Sequence, residues 1–160
     1  MSADEDGRPD VHADEALQRW IRAILRLKVA AASELGLEID SQITLLSRGV
    51  VISGHVIPKS EWLRLNGDAI AAEYDRLHPS LGHEIRQGYF KAAETLPPAA
   101  SDEVEEATKE ELPGYVHLRN VTIWSGGQRL NADGERTAGM VWRIRLDELS
   151  GYMHGGLAGG

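Results

Sequence analysis

Cysteine is absent from the 160 residues, which excludes a disulfide framework and thiolate chemistry. The chain also has no run of about 18 apolar residues, so no membrane span is expected. Its first ten residues, MSADEDGRPD, lack a basic stretch followed by an apolar one, so no secretory signal is expected either. With 42% hydrophobic residues, these absences predict a cytoplasmic globular protein.

Motifs that carry chemistry are equally scarce. Gly126-Gly127 has no accompanying lysine and so does not predict a phosphate loop. His78 and His83 are five residues apart across a proline, which is not the spacing of a helical metal pair. No nucleophile-elbow pattern surrounds a serine. The sequence therefore predicts neither an enzyme nor a cofactor or metal site.

The net charge of −8 is unevenly spread. Residues 1–15 and 101–111 each hold six acidic residues and one basic residue, so the rest of the chain is close to neutral. We predict a disordered acidic tail over 1–13, a single domain over 14–155 with a flexible acidic linker at about 96–113, and a disordered Gly-rich end over 156–160. The acidic segments either keep the protein soluble or bind a basic partner.

The stretch ITLLSRGVVISGHVI, residues 43–57, predicts a β-hairpin. Its Val, Ile and Thr side chains suit a half-buried sheet, and Gly49 suits a tight turn. Gly54 lies inside the second apolar run, where glycine often marks a bend or bulge. The alternation of apolar residues extends the first strand back to Leu37. Such a bent hairpin can curl a sheet into a small barrel.

Helical patterns lie on both sides of this hairpin. The first helix is predicted to begin after Asp14 and to end at Gly36. Its polar face carries three arginines, interpreted either as a solvated face or as a docking stripe: Arg19, Arg22 and Arg26. Two more helices are predicted within an insertion at about 59–95, the second capped by Ser80. Further strands are predicted at 115–124, 140–146 and 151–154.

The predicted fold is therefore α+β: a small, strongly bent antiparallel β-barrel of the Sm/SH3-like type. A helix precedes it, and the helical insertion separates its second and third strands. Short strands leave exposed edges, and exposed edges recruit other strands. We therefore expect a homo-oligomer that pairs through the strands at 140–146 and 151–154.

Six candidate interaction residues lie on two of the later strands: His117, Arg119 and Asn120 on the first, and Trp142, Arg143 and Arg145 on the second. Because side chains alternate along a strand, Arg143 and Arg145 share one face and Trp142 takes the other. His117 and Arg119 share a face in the same way, although an ordinary hydrogen-bonded histidine is the simpler interpretation of His117. For Trp142, Arg143 and Arg145, the alternative interpretation is that Trp142 lies in the core and both arginines are solvated.

The chain resembles Sm-like proteins in part. Gly49 and Gly54 have the spacing of the turn and bend glycines of that family, Val56 follows as its hydrophobic residue does, and Trp142-Arg143-Ile144 partly matches its later triplet. The family's RNA-pocket residues would fall near Ser60 and Arg64, both of which differ from the family. This resemblance implies an oligomeric RNA-binding module, but the net acidity disfavours nucleic acid.

A second set of short pieces runs along about residues 37–155. They are Ile43-Thr44-Leu45, Val51-Ile52-Ser53-Gly54, Val56-Ile57, Glu61-Trp62-Leu63, Val116-His117-Leu118-Arg119-Asn120, Gly126, Trp142-Arg143 and Glu148-Leu149-Ser150-Gly151-Tyr152. In these pieces the chain more closely resembles the gas vesicle accessory protein GvpU family. Ile144, where the family usually shows glycine, and the short Gly-rich end depart from it. The resemblance implies a non-enzymatic accessory factor that self-associates, binds gas vesicle shell or accessory proteins, and acts in the assembly or clustering of these gas-filled protein shells.

Overall fold

A computed structural model describes residues 14–96, 113–130 and 140–156. The predicted acidic tail, most of the acidic linker and most of the Gly-rich end lie outside these residues. The described chain has helices and an antiparallel sheet, which confirms the α+β class. In order, its elements are α1 (Glu15–Leu35), β1 (Gln42–Ser47), β2 (Val50–Val56), α2 (Lys59–Asp75), α3 (Pro79–Glu94), β3 (Tyr115–Ser125), β4 (Gln128–Arg129), β5 (Val141–Arg145), a 3₁₀ turn (Leu146–Glu148) and β6 (Gly151–His154).

The six strands form one sheet in the order β4-β3-β2-β1-β6, and β5 pairs with β3 on the same side as β4. Among the described residues, β5 pairs only with β3 and β6 only with β1. The sheet is therefore open at two edges, and the predicted closed barrel is not confirmed. β5 and β6 lie at opposite edges of the sheet, yet only residues 146–150 join them. The sheet therefore has to curve so that this short connection can span the distance between the two edges.

The predicted β-hairpin is confirmed. β1 and β2 pair from Gln42 opposite His55 to Ser47 opposite Val50. The two turn residues, Arg48 and Gly49, have φ of 49° and 79°, which matches the twist of the flanking strands.

The irregularity expected at Gly54 is also confirmed. The β2–β3 register shifts between Ser53 and His55, and Asn120 on the opposite strand has φ of 51°. A Cβ at Gly54 would lie 3.0 Å from the carbonyl oxygen of Arg119. Two backbones approach closely here, which explains why a glycine occupies the position.

Two local predictions are wrong. β1 begins at Gln42 rather than near Leu37, which is 58% exposed in the connection after α1. The apolar alternation continues back to Leu37, but no described strand pairs with the residues before Gln42, so they are not part of β1. Ser80 does not cap α3: His78 is the N-cap residue, and Pro79 follows as the first helical residue. Proline fits that position because its missing N–H would have no helical partner anyway.

The core lies between α1 and the sheet. Leu17 and Ile21 of α1 are almost fully buried against side chains of the strands. By contrast, the buried residues of α2 and α3 are all small, namely Gly67, Ala71, Gly82 and Ala93. The two later helices therefore pack closely on each other and add little to the main core, whose strand residues are Ile43, Leu45, Ile52, Val56, Val116, Leu118, Val121, Ile123 and Ile144, with Leu146 beyond β5.

Candidate functional site between helix α2 and strands β3 and β5

Pairing of β3 with β5 places His117 directly opposite Arg143. Opposite residues of antiparallel strands project to the same face, so the two side chains are neighbours. The guanidinium carbon of Arg143 lies 3.8 Å from the Tyr115 ring centroid and 5.9 Å from that of Trp62. The Trp62 ring, on α2, lies 5.2 Å from the His117 ring. We call Trp62, Tyr115, His117 and Arg143 the β3–β5 cluster.

His117 is the electrostatically unusual member of the cluster. Its side chain is largely buried, with the residue 8% exposed. Burial, together with the smaller effect of the nearby positive charges of Arg143 and Lys59, lowers the pKa of His117 to about 4. The ring is therefore neutral at pH 7. Within the described part of the chain, neither its Nε2 nor the buried Nε1 of Trp62 has a hydrogen-bond partner.

A cavity of about 250 Å³ lies beside the cluster, where α1, the start of α2 and β3 meet. Its charged lining residues, Lys59 and Arg143, are both cationic. The other lining residues are Ile21, Leu25, Ile57, Pro113, Gly114, Tyr115 and His117. This combination of apolar wall and positive charge suits an amphipathic anion.

A second cavity, of about 370 Å³, lies beside the same arginine. Tyr115 and Arg143 line both cavities, and Trp142 and Arg145 line only the second. Trp142 lies opposite Leu118 and is 38% exposed, so it is not the core residue of the alternative interpretation. Arg145 donates from Nε to the Asp147 carboxylate at 3.0 Å.

Arg119 and Asn120 lie outside the cluster and have structural contacts. Arg119 donates to the carboxylates of Glu61, at 3.0 Å, and of Glu38, and it thereby ties β3 to α2 and to the connection after α1. Asn120 lies at the β2–β3 irregularity with its positive φ. Of the six predicted interaction residues, the structure thus brings only His117 and Arg143 into one cluster.

The predicted arginine stripe on α1 is at least partly engaged within its own helix. Arg19 donates to Glu15 at 2.9 Å, and both side chains are exposed. Ser60 and Arg64, which correspond to the Sm-like pocket positions, lie in α2. These positions therefore give no support to an RNA pocket.

Three aromatic or charged residues of the cavity and the cluster were not predicted as site residues: Lys59, Trp62 and Tyr115. Trp62 had a signal, because it belongs to one of the matching family pieces. Tyr115 had a weaker one, as the aromatic residue that begins a long β-prone run. Lys59 had none, since a lysine at the start of a helix is common on protein surfaces.

The described residues hold no group of three metal-binding side chains and no helix able to cross a membrane. The β3–β5 cluster itself presents aromatic rings, a guanidinium group and, within the described residues, two buried polar atoms without a hydrogen-bond partner.

The chain matches a known protein family. A family model described as "Gas vesicle protein GvpU-like" matches residues 22–157, which include the sheet, the cluster and most of α1. No curated protein and no solved structure matches the chain.

Proposed function

Because the chain belongs to the GvpU-like family of gas vesicle proteins, we propose that it is a non-enzymatic accessory protein that acts in vesicle assembly or clustering. It works in the cytoplasm, on the surface of vesicles. It acts by self-association and by binding to vesicle shell or accessory proteins.

The open sheet is the observation that supports self-association. Within the described residues, the outer edges of β5 and β6 have no strand partner. These edges also expose apolar side chains, among them Trp142 at 38% and Met153 at 51%. An edge with exposed apolar residues is a template for another strand. Pairing β5 of one copy with β6 of the next uses two different surfaces and builds a ring or a chain.

Such an oligomer explains how a small protein can bridge large particles. Each copy repeats the β3–β5 cluster, so a weak contact with a vesicle protein is multiplied across the assembly. Linked sites of this kind gain about 10²–10⁴ in avidity without any new contact. No feature of the described residues supports the RNA-binding alternative.

Light scattering across protein concentrations tests self-association. We expect the wild-type mass to rise above 17.5 kDa with concentration. Met153→Arg places a charge on the β6 edge and should shift this rise to higher concentration by about tenfold or more. Leu77→Glu is the matched control, because Leu77 is 79% exposed in the turn after α2 and belongs to none of the strands. A constant monomer mass, or equal behaviour of the two variants, would contradict the edge-pairing model.

Flotation tests vesicle binding. Purified gas vesicles rise on centrifugation, and the wild-type protein should rise with them whereas Met153→Arg should do so less. Microscopy of the same samples distinguishes clusters from single vesicles. Protein that stays in the lower fraction at every concentration would contradict the proposed function itself.

A further inference from the structure

We infer that the 250 Å³ cavity beside the β3–β5 cluster is a carboxylate-binding site that takes an acidic side chain of a partner protein. The inference relies on the proposed function for the partner's identity. The binding chemistry itself belongs to this chain and can be measured without vesicles.

Charge is the first argument. The chain as a whole carries −8, yet the charged residues that line this cavity, Lys59 and Arg143, are both positive. Neither makes an ion pair or a hydrogen bond to another side chain within the described ranges, although Arg119 and Arg145 nearby both do. Arg143 is held against the Tyr115 ring by a cation–π contact, which leaves its N–H groups available for an anion.

Unpartnered buried polar atoms are the second argument. His117 lines the cavity and is more than nine-tenths buried, and its Nε2 has no partner in the part of the chain that is described. Trp62 stands next to it with a buried indole N–H in the same condition. A buried polar group without a partner costs about 1–3 kcal/mol, so such groups call for an explanation. A ligand that supplies acceptor oxygens would reduce this cost.

The start of α2 is the third argument. Its N-cap residue is Pro58, which has no side chain able to accept from the first backbone N–H groups. Ile57 and Lys59, on either side of Pro58, both line the cavity. The Ile57 N–H donates to the carbonyl oxygen of His117 at 2.9 Å, which joins this end of the helix to the cluster. An uncapped helix N-terminus favours a negative charge nearby.

Size and wall chemistry indicate which anion fits. At about 250 Å³ the cavity is smaller than the usual range for small-molecule sites and is suited to one side chain. Ile21, Leu25 and Tyr115 provide apolar wall for the methylene groups of a glutamate. Inorganic phosphate carries no apolar part and would leave this wall without a contact.

Titration by NMR of the full-length protein tests the inference, with acetyl-Leu-Glu-Leu-amide as the probe. The peptide should shift the Trp62 indole N–H resonance and raise the pKa of His117, because a bound carboxylate favours the protonated ring beside Arg143 and Lys59. Binding should therefore tighten as the pH falls from 7 to about 5, above the range in which the glutamate itself is protonated. The same peptide with Gln in place of Glu, and inorganic phosphate, are the comparison ligands.

Variants assign the binding to this cavity. Arg143→Gln and Lys59→Gln should each weaken the peptide about tenfold, the usual scale of one charged hydrogen bond. Arg145→Gln is the matched control, because it removes an arginine from the same strand and face but outside this cavity, and should leave the affinity unchanged. Arg143 and Lys59 are surface-accessible, so both variants should fold, which the spectrum of the sheet residues checks.

Three results would overturn the inference. The first is equal binding of the Glu and Gln peptides, and the second is binding of phosphate without the peptide. The third is a difference in the Trp62 indole N–H resonance between the ligand-free wild type and the ligand-free double variant Glu110→Gln/Glu111→Gln. Such a difference would assign the bound carboxylate to this chain rather than to a partner. If the peptide binds but the protein does not float with vesicles, the site stands and the proposed function fails.

Discussion

At the scale of single residues, His117 combines burial with an unpartnered ring nitrogen. Its place in a strand indicates an ordinary hydrogen-bonded histidine, but the structure leaves Nε2 without a partner in the described chain. The reason is its surroundings: an indole ring from α2 and an arginine from β5 face it, and no carboxylate of the described residues lines the adjoining cavity. Neighbours from two separate elements, α2 and β5, determine this environment, and the periodicity of β3 carries no information about them.

The lowered pKa of His117 predicts how stability depends on pH. Its pKa falls from about 6.5 unfolded to about 4 folded, so the unfolded chain binds the extra proton between these values. The contribution of His117 to the free energy of unfolding is therefore fully present above pH 6.5. It decreases by about 3 kcal/mol as the pH falls towards 4. Urea unfolding at several pH values measures the loss, and His117→Leu should remove it. Parallel curves for the two proteins, or a ring that titrates near 6.5 by NMR, would contradict this prediction.

At the scale of elements, the β2–β3 pair shows how one glycine shapes the sheet. Gly54 lies where the register shifts, against the backbone of Arg119 and the side chains of Leu118 and Val121. The shift lets the long strand β3 pair with β2 along both halves while the sheet curves. That curvature in turn brings β5, and with it Arg143, beside α2.

Gly54→Ala should destabilise the protein by about 1–3 kcal/mol, the usual cost of an overpacked position. The new methyl group would lie 3.0 Å from Arg119 O and 3.2 Å from Leu118 Cβ, and neither atom can move by side-chain rotation. Chemical denaturation measures the change. Gly151→Ala in β6 is the control and should change stability little, because nothing lies within 4 Å of its added Cβ. Equal stability of the two variants would show that the close approach is not a constraint.

At the scale of the whole molecule, two parts of the described chain differ in the size of the side chains that they bury. α1 and the sheet contribute the large core side chains, whereas the helical pair α2–α3 buries small residues. Arg86 of α3 contributes exposed ion pairs to Asp68 and Asp75 of α2, and such pairs add little stability. Glu61 and Trp62 near the start of α2 tie the pair to the sheet.

Hydrogen exchange should therefore reveal two levels of protection. Amides of α3 should exchange through local opening at a free energy at least about 2 kcal/mol below that of the core strands β1 to β3, because little apolar surface holds α3 in place. Residue-resolved native-state exchange measures both values in one sample. Identical opening free energies in α3 and the central strands would mean that the molecule unfolds as a single unit.

Local rules in the sequence determined much of the fold. The hairpin at Arg48-Gly49, the irregularity at Gly54 and the helix between Asp14 and Gly36 were all predicted, because turn, bulge and cap preferences act on neighbouring residues. The family resemblance, confirmed over residues 22–157, likewise lay in short residue patterns.

Only the tertiary structure decided which distant residues meet. It left the sheet open rather than closed, and it brought Trp62 of α2 and Arg143 of β5 to the same histidine. It also separated Trp142, Asn120 and Arg119 from that cluster. The physical reason is that strand pairing and helix placement depend on the summed burial of side chains far apart in the chain, whereas periodicity reports only which face of its own element a residue occupies.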